Sequence, residues 1–397
     1  MDRNQLVHAV RERLERYPEP YQNHYGVVPL PPPEDAVPLG LAQQAHERAL
    51  TMLGRAEALA VQLPDPYIIS RTLSRREAID SSAMEGTNST LDELLAVEED
   101  GEVAHDAAHQ VRDYALTLDH FLPRAVVEGV DFFTLPLIQD LHREAMRHDP
   151  DYADQPGSLR NVVVWIGGIT NIAASTYNPA PPDKVQGCLV DTASYLRCEG
   201  MQAMTQSLIT RMAISHAHFE AVHPFRDGNG RVGRLLLPMM MAAEGRVPLY
   251  LAPYIAANRA GYDSGLKMAQ QRLEWGPLVG YLSDAITGTV EELFATRDAL
   301  LTLKMRWMER RKFRANSAAM RALDLLMDYP VVTMARLATK LDVSRPQALA
   351  AINQLVEIGI LTERTGYSRN RIFAAQEVLA IVNRPFGTIP SEAMPSR

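Results

Sequence analysis

The sequence predicts a mainly α-helical protein with a β-hairpin inserted near its middle and a winged helix-turn-helix domain towards its C-terminal end. Apolar residues recur at helical spacing over most of the chain, and the pattern becomes β-branched and glycine-rich in residues 159–172. Three short helical segments followed by two strand-like segments then close the chain. A length of 397 residues with 46% hydrophobic composition is enough for two or three domains.

The N-terminal region is predicted to be a polar arm followed by helices. Its proline-rich stretch, residues 18–38, favours extended structure. Gly86 is expected to end a helix, since glycine accepts the left-handed conformation found there. The helices predicted in the first 121 residues cover 1–16, 40–63, 68–84, 88–95 and 105–121.

The remainder of the chain is predicted to be helical apart from the hairpin. Helices resume at Asp183 and continue to about Arg314, and no internal repeat is present. The predicted domain limits are 1–105 for the N-terminal arm and helices, 106–300 for a catalytic core with a hairpin at 159–180, 301–316 for a basic connecting helix, 317–383 for the winged helix, and 384–397 for a tail.

Charge and composition exclude several classes of protein. The formal net charge of −8 is not that of a protein that coats nucleic acid or anionic lipid. The two cysteines lack zinc-ligand spacing and are too few for a disulfide scaffold, so we expect free thiols. The N-terminus has no apolar signal segment, and no run of 18 apolar residues occurs. We therefore expect a cytoplasmic protein with no membrane partner.

The segment HPFRDGNGRVGR, residues 223–234, is the most informative in the chain. Its glycines fit the pattern G-x-G-x-x-G of dinucleotide-binding turns. That pattern requires a preceding strand inside a βαβ unit, whereas a helical run precedes it here. The Walker pattern G-x-x-x-x-G-K is absent too.

The same segment nevertheless has the features of a phosphate site. Gly228-Asn229-Gly230 can turn successive backbone N–H groups into one concavity, and the following helix adds its positive end. Arg231 and Arg234 are three residues apart and share a helix face, from which they can bind phosphate oxygens. Asp227 next to phosphates indicates a bridging Mg²⁺. His223, just before the loop, is placed to act as a general base.

A metal site is the competing interpretation of this region. His216, Glu220 and His223 stand at i, i+4 and i+7 and would share one face of a helix. The motif H-E-x-x-H is absent, and His216 and Glu220 are equally well explained as polar groups of a packed helix. The metal triad is therefore the weaker hypothesis.

The twelve residues resemble the signature of the Fic family, H-P-F-x-[D/E]-G-N-G-R-x-x-R, at every fixed position. The similarity extends to SRREAIDSSAMEGTNSTLDELL, to LRNVVVWIGG with YNPAPP, and to APYIAANRAGY, and so covers most of residues 30–300. The resemblance implies a Fic-fold helical domain. It also implies a protein adenylyltransferase, which moves AMP from ATP to a hydroxyl group of a target protein.

The resemblance assigns roles to the residues of the motif. His223 would deprotonate the target hydroxyl, and Asp227 would hold Mg²⁺ or Mn²⁺ on the α- and β-phosphates of ATP. Gly228, Asn229 and Gly230 would cradle the phosphates, and Arg231 and Arg234 would neutralise the β- and γ-phosphates. Asn258 lies in a stretch similar to the helix on the nucleotide side. Trp165 and Ile166, on the hairpin, would belong to a flap that docks the target.

The segment SSAMEG, residues 81–86, matches the inhibitory motif of the family, [S/T]-x-x-x-E-[G/N]. Ser81 and Glu85 are four residues apart, on one face of the predicted helix, and a carboxylate there can pair with a guanidinium. By resemblance the partner is Arg234, which would then be withheld from the γ-phosphate. Gly86 completes the motif.

The C-terminal domain carries a local excess of positive charge. Residues 304–371 hold thirteen basic and six acidic side chains, a net charge of +7. The stretch SRPQALAAINQL would be the recognition helix, and both DNA binding and protein contacts are open. The residues predicted to contact nucleic acid are Ser344, Arg345, Gln347, Arg364, Arg369 and Arg371.

The sequence thus predicts an adenylyltransferase held largely inactive by Glu85, with ATP and an unknown protein as substrates. The chain itself is a second expected target, and we expect a homo-oligomer. The alternatives are an enzyme that removes AMP from a modified protein, with Glu85 positioning a water, and a DNA-binding regulator that senses nucleotide.

Overall fold

The computed structural model describes residues 1–62, 70–99, 106–150, 152, 154–168, 170–202, 205–364 and 371–390. Their architecture is mainly α-helical with short strands, as predicted. In chain order the α-helices are α1 (His8–Arg11), α2 (Gln43–Gln62), α3 (Ser70–Ala83), α4 (Leu91–Glu99), α5 (Asp106–Glu128), α6 (Leu135–Ala145), α7 (Val185–Leu196), α8 (Leu208–Val222), α9 (Asn229–Ala243), α10 (Ala252–Ala257), α11 (Arg259–Arg272), α12 (Gly276–Arg310), α13 (Ala318–Asp328), α14 (Met334–Leu341), α15 (Arg345–Glu357) and α16 (Gln376–Val382). The strands are β1 (Leu14–Arg16), β2 (Tyr25–Val27), β3 (Val331–Thr333), β4 (Thr362–Glu363) and β5 (Ile372–Ala374).

The chain divides into two compact units, each made of two separate stretches of sequence. The first unit comprises residues 1–57 and 116–287, and the second comprises residues 58–115 and 288–397. The domain limits predicted from the sequence group the residues differently and stay a prediction.

The first unit is built around α8 and α9. Every residue of α8 is buried, and the apolar run of α9 from Leu235 to Ala242 is buried as well. A helix that is buried on all faces lies in the middle of a core, and these two therefore form the centre of the unit. The residues that join them, 223–228, carry the start of the sequence motif.

The N-terminal arm differs from its prediction. The helix expected to reach Arg16 ends at Arg11, and residues 14–16 form β1, which pairs antiparallel with β2. Leu14 lies opposite Val27, which is buried with Leu6 and Val10 in a small apolar cluster. Pairing with residues that lie further along the chain therefore overrides the helical pattern of this segment.

The flap segment, residues 159–180, is less regular than the predicted hairpin. One antiparallel bridge joins Ile166 and Tyr177, and the Ile166 N–H donates to the Tyr177 carbonyl at 2.9 Å. The turn between them contains Gly167 at φ +73° and Gly168 at φ +70°. A Cβ on Gly168 would stand 2.6 Å from the Asn171 carbonyl oxygen, so the turn requires glycine. The chain reverses where predicted, but its described residues form no longer ladder.

The second unit has one core shared by its two stretches of sequence. Leu91 and Leu95 of α4 are buried in the same cluster as Trp307 and the apolar faces of α13, α14 and α15. The strands form an antiparallel sheet in the order β3-β5-β4, in which Val331 pairs with Ala374 and Glu363 with Phe373.

Polar contacts join the same two stretches. The Glu99 carboxylate accepts hydrogen bonds from the Thr333 N–H at 3.1 Å and from Arg336 Nε at 2.8 Å. The Arg71 N–H donates to Asp328 at 3.1 Å. Helices α3 and α4 are therefore joined to the C-terminal helices and strands of this unit by packing as well as by hydrogen bonds.

No helix in the described part of the chain combines the length and the hydropathy that a membrane span needs.

Because α4 and α13 share one core, we expect Leu95→Ala to lower the free energy of unfolding of the second unit by about 2–5 kcal/mol. Hydrogen exchange should then accelerate in α4 and also in α13. The fully exposed Leu41 provides the control, since Leu41→Ala leaves the core intact. Faster exchange confined to α4 would contradict a shared core. Urea denaturation and amide exchange measured by mass spectrometry provide the two readouts.

Candidate functional site

His223 stands at the end of the buried helix α8, in a backbone conformation unusual for histidine. The residue is left-handed, with φ +48° and ψ +64°, and its N–H donates to the Phe219 carbonyl at 2.9 Å. Such a conformation is sparsely populated outside glycine and asparagine. Its imidazole is 20% exposed, and Nδ1 lies 3.7 Å from the Glu220 carboxylate. The end of α8 therefore presents a partly accessible imidazole next to a buried acid.

Asn229 closes the loop that follows His223. Its side-chain oxygen accepts the Phe225 N–H and its side-chain nitrogen donates to the Phe225 carbonyl, both at 2.8 Å. The residue is 2% exposed. The Asn229 amide thus holds the loop, and the role of Asn229 in cradling phosphates stays a prediction.

His142 of α6 packs against the loop and is hydrogen-bonded to it. Sequence reasoning did not identify this residue. Its ring stacks on Phe225 with centroids 3.8 Å apart. Nδ1 accepts the Gly157 N–H at 2.8 Å, so Nε2 carries the proton and donates to the Asp227 carbonyl at 3.0 Å. Burial lowers the pKa of His142 to about 4, and the ring is neutral near pH 7. No motif spacing marks this histidine in the sequence.

The backbone at the N-terminus of α9 favours an anion, as the predicted phosphate concavity requires. Gly228 precedes the helix at φ +77°, and no side chain caps the first N–H groups. A Cβ on Gly228 would stand 2.7 Å from Met146 Sδ, so glycine is required by space as well as by conformation. The uncapped N–H groups and the positive end of the helix dipole both favour an anion.

Arg231 adds a buried positive charge to this concavity. It is 2% exposed, and its Nη2 lies 3.2 Å from the Asp149 carboxylate. Its Nε and Nη1 have no hydrogen-bond partner among the described residues. Leaving buried guanidinium donors unsatisfied costs free energy, which an anion with several oxygens would recover.

Arg234 lies one turn further along α9 and is also 2% exposed. It is close enough to His216 to help lower the pKa of that histidine to about 4, although burial is the larger cause. His216 donates from Nδ1 to the Gly233 carbonyl at 3.1 Å and accepts from Tyr262 at Nε2, at 2.6 Å. Both ring nitrogens are thus engaged, which leaves the metal triad of His216, Glu220 and His223 without its first ligand. Among the described residues, no group of three or more His, Cys, Asp and Glu side chains could hold a metal ion.

Asp227 and Asn258 are exposed and lie in different parts of the first unit. Asp227 Oδ1 accepts the Gly228 N–H at 2.7 Å, directly before the anion-binding concavity. Asn258 stands between α10 and α11, where its side chain donates to the Tyr254 carbonyl at 3.0 Å.

Arg160 connects the flap segment to the end of α8, and sequence reasoning did not single it out. It is 3% exposed, and its Nε donates to the His223 carbonyl at 2.7 Å. Of the predicted flap contacts, Ile166 takes part in the bridge with Tyr177, and the Trp165 ring packs edge-on against Tyr21 with centroids 5.6 Å apart.

The predicted inhibitory residues belong to the second unit. Ser81 is fully buried in α3, whereas Glu85 and Gly86 are exposed in the turn that follows this helix. Gly86 has φ +92°, as its predicted position after a helix requires. The pairing of Glu85 with Arg234 stays a prediction.

The residues predicted to contact nucleic acid are distributed over α15 and the strands that follow it. Ser344 and Gln347 cap α15 reciprocally, so their side chains already have partners, and Arg345 is exposed beside them. Arg364 pairs with Asp92 at 2.6 Å and Arg371 with Glu363 at 3.1 Å. Arg369 lies outside the described residues.

Comparisons with known proteins agree with this geometry. Residues 43–120 match the model of the Fic/DOC family N-terminal region, and residues 132–241 match that of the Fic/DOC family. Protein adenylyltransferase fic-1 of Caenorhabditis elegans is 30% identical over 192 residues, which cover 47% of this chain and 35% of that protein. Probable protein adenylyltransferase aq_aa38 of Aquifex aeolicus is 34% identical over 127 residues, which cover 30% of this chain and 36% of that protein. The chain therefore spans about a third of the length of these relatives.

Solved structures show the same fold. A Fic family protein from Desulfovibrio desulfuricans G20 aligns with a TM-score of 0.51 at 21% identity, covering 83% of this chain and 95% of that one. Fic-1 from C. elegans aligns with a TM-score of 0.50 at 23% identity, covering 63% of this chain and 73% of that one.

The buried histidines predict how stability depends on pH. His142, His216 and His218 have pKa values near 4 in the fold against 6.5 for the unfolded chain, so only the unfolded state gains protons as the pH falls from 6.5 towards 4. Stability should fall over this range by about 1.4 kcal/mol per pH unit for each histidine. The variant His142→Gln lacks one of these histidines, so its stability should depend less steeply on pH.

Urea denaturation at pH 7, 6 and 5 measures this slope. The exposed His8 provides the control, and His8→Gln should retain the slope of the parent protein. An unchanged slope in His142→Gln would show that His142 takes up its proton in the folded state.

Proposed function

We propose that the chain, which matches Fic/DOC family models over residues 43–120 and 132–241, is a protein adenylyltransferase that transfers AMP from ATP to a hydroxyl group of a target protein. The observation that carries the proposal is the juxtaposition of the partly exposed His223 imidazole and the anion-binding concavity at the start of α9. A general base and a polyphosphate site on the two sides of one short loop are what transfer of a phosphoryl-linked group to a hydroxyl requires.

Three features of α9 support binding of the triphosphate. The backbone N–H groups of Asn229 and Gly230 lie in the first turn of α9, where no side chain of the N-cap Gly228 caps them, and Arg231 has buried donors without partners among the described residues. Arg234, one turn further on, extends the positive charge in the direction of the helix. In this arrangement ATP lies with its phosphates along the start of α9, and Asn258 lies on the nucleotide side.

Asp227 fits a divalent cation whose remaining ligands come from ATP and water. Its exposed carboxylate is a hard oxygen donor next to the concavity, and Mg²⁺ is usually held by one or two carboxylates together with phosphate oxygens. When bound, Mg²⁺ or Mn²⁺ would neutralise charge that develops on the phosphates during transfer. The hydrogen bond from the Gly228 N–H to Oδ1 orients the carboxylate.

His223 carries the proton transfer in this mechanism. The neutral imidazole accepts the proton of the target hydroxyl as the oxygen attacks the α-phosphorus of ATP, and pyrophosphate leaves. The Glu220 carboxylate, 3.7 Å from Nδ1, stabilises the imidazolium that forms. Trp165 and Ile166 are the proposed flap contacts for an extended segment of the target, which would add to the flap through backbone hydrogen bonds.

Glu85, with Ser81 and Gly86, is the proposed inhibitory element. A carboxylate paired with Arg234 would withhold this arginine from the γ-phosphate and so prevent productive placement of ATP. The inhibitory turn follows α3, which is anchored in the core of the second unit together with α4.

The C-terminal module, residues 317–383, is proposed to be a winged helix. Helices α13, α14 and α15 followed by β4 and β5 have the order of this fold. The positive charge of residues 304–371 is partly balanced by acids from outside that stretch, in the pairs Arg310–Glu377, Arg336–Glu99 and Arg364–Asp92. Since this balance removes much of the charge that favoured DNA, protein contact is the proposed role.

Replacing His223 tests the catalytic proposal. We use His223→Asn, because asparagine accepts the left-handed conformation but does not act as a base near pH 7. Transfer from α-labelled ATP to the chain itself, or to proteins of a lysate, should fall by about 10²–10⁴. Binding of ATP should change little, since the contacts of α9 remain. His8→Asn is the control, and near-normal labelling by folded His223→Asn would exclude His223 as the base.

Replacing Glu85 tests the regulatory proposal. Labelling should rise by about 10- to 100-fold in Glu85→Ala, the range expected when a charge-assisted pair of about 1.5–3 kcal/mol is lost. Asp298→Ala, at an exposed acid of the same unit, should leave labelling unchanged. Arg234→Ala should be inactive alone and in combination with Glu85→Ala. If the parent chain removes AMP from a modified protein and Glu85→Ala does not, Glu85 has the hydrolytic role.

A further inference from the structure

Arg160 lies at the base of the flap segment, and all four hydrogen bonds of its guanidinium go to main-chain carbonyls. Nε donates to His223 at 2.7 Å, and Nη2 donates to Val222 at 3.2 Å and to Ala180 at 2.7 Å. Nη1 donates to Val162 at 3.1 Å. One side chain therefore binds the end of α8 and both arms of the flap segment.

The backbone of Arg160 adds a fifth contact to the same region. Its N–H donates to the Pro224 carbonyl at 2.9 Å, so Arg160 holds the carbonyls of three successive residues, Val222, His223 and Pro224. The last carbonyls of a helix lack partners within the helix and form the negative end of its dipole. A buried guanidinium at this point satisfies them and complements their charge.

These contacts act on a residue whose backbone is constrained. His223 occupies the left-handed region, where a side chain other than glycine costs of order 1–3 kcal/mol and persists only if its surroundings enforce it. A helix end of this kind usually carries glycine. Arg160 enforces this conformation, because it donates hydrogen bonds to the carbonyl of His223 and to the carbonyls of the residues before and after it.

The environment of Arg160 is otherwise uncharged. Burial lowers the pKa of Arg160 to about 10, and the Tyr17 phenol and the Cys188 thiol oppose this shift. Arg160 therefore keeps its charge near pH 7. The dipoles of the main-chain carbonyls compensate this charge, as a carboxylate would in an ion pair. A buried arginine is more often paired with an acidic side chain, whereas the partners of the Arg160 guanidinium are main-chain carbonyls at the turn and in the flap segment.

Resting on the proposed transfer reaction, we propose that Arg160 is a positioning residue, which locks the left-handed turn at His223 to the base of the flap. The flap would place the target hydroxyl, and the turn places the base that takes its proton. Because one guanidinium holds both, the distance between hydroxyl and base is fixed before the substrates bind. A displacement of about 1 Å between reacting groups can cost 100-fold in rate.

The test compares Arg160→Met, which keeps length without charge, with Arg160→Lys, which keeps the charge but lacks a planar fork with several donors. We expect kcat for transfer to fall about 10- to 100-fold in both variants, while KM for ATP changes less than about threefold because α9 is untouched. Arg147→Met is the control, since the side chain of Arg147 is 57% exposed and pairs with Glu144 in α6. If Arg160 only stabilised the fold, its replacement would instead lower the fraction of protein that binds ATP and leave kcat per binding site unchanged.

A second readout needs no activity. In the protein labelled with ¹³C-histidine, the His223 resonance of both Arg160 variants should shift or broaden, while the resonances of buried His142 and His216 stay in place. The same NMR titration gives the pKa of His223 in each protein. If the parent chain transfers no AMP, the proposed function fails, but the His223 resonance still tests the positioning role. An unchanged His223 resonance and an unchanged kcat in folded Arg160→Lys would overturn the inference.

Discussion

The site depends on how closely α8 and α9 approach each other. A Cβ on Gly233 would stand 2.5 Å from Glu220 Oε1 and 3.1 Å from the His216 ring, so the helices can meet only where α9 has no side chain. At the same point the Gly233 carbonyl accepts a hydrogen bond from His216. This contact sets the relation between the end of one helix, with its imidazole, and the start of the other, with its free N–H groups. The loop between them has only to turn the chain.

Polar groups around this contact have fixed protonation states. The pKa values of His142 and His216 are lowered to about 4 by burial, so both rings are neutral near pH 7 and each has one definite tautomer. His142 bears its proton on Nε2 and His216 on Nδ1, because each of these atoms faces a carbonyl. The buried positive charge at the start of α9 therefore comes from Arg231 and Arg234.

The motif residues could be predicted from the sequence because their spacing along one short segment is itself the signal. Glycine at 228, the helix that begins at Asn229 and the two arginines on that helix follow from local geometry alone. His142, Asp149 and Arg160 could not be found in this way, since each reaches the loop from a segment 60 to 90 residues away and leaves no periodic trace. The hydrogen bonds of the Asn229 amide to Phe225 could not be predicted either, because they depend on the closed shape of the loop.

Errors in the fold have a related origin. The N-terminal segment reads as a helix as far as Arg16, but pairing with β2 determines its structure. The union of α3 and α4 with the C-terminal module was missed because the apolar spacing of Leu91 and Leu95 shows only that one face is buried, and gives no information on what covers it. Local patterns thus determine the elements, and contacts between distant segments determine their grouping.

The split sequence of the second unit has a consequence for synthesis of the chain. Helix α4 leaves the ribosome about 190 residues before the partners of Leu91 and Leu95 in α12 and α13, a delay of roughly 10–40 s at 5–20 residues per second. During that interval residues 116–287, the second stretch of the first unit, are translated, while the apolar face of α4 has no native core to enter. The segment that carries Glu85 therefore completes its native environment last, and a nascent chain passes through a stage with the His223 loop already made and the second unit still unfinished.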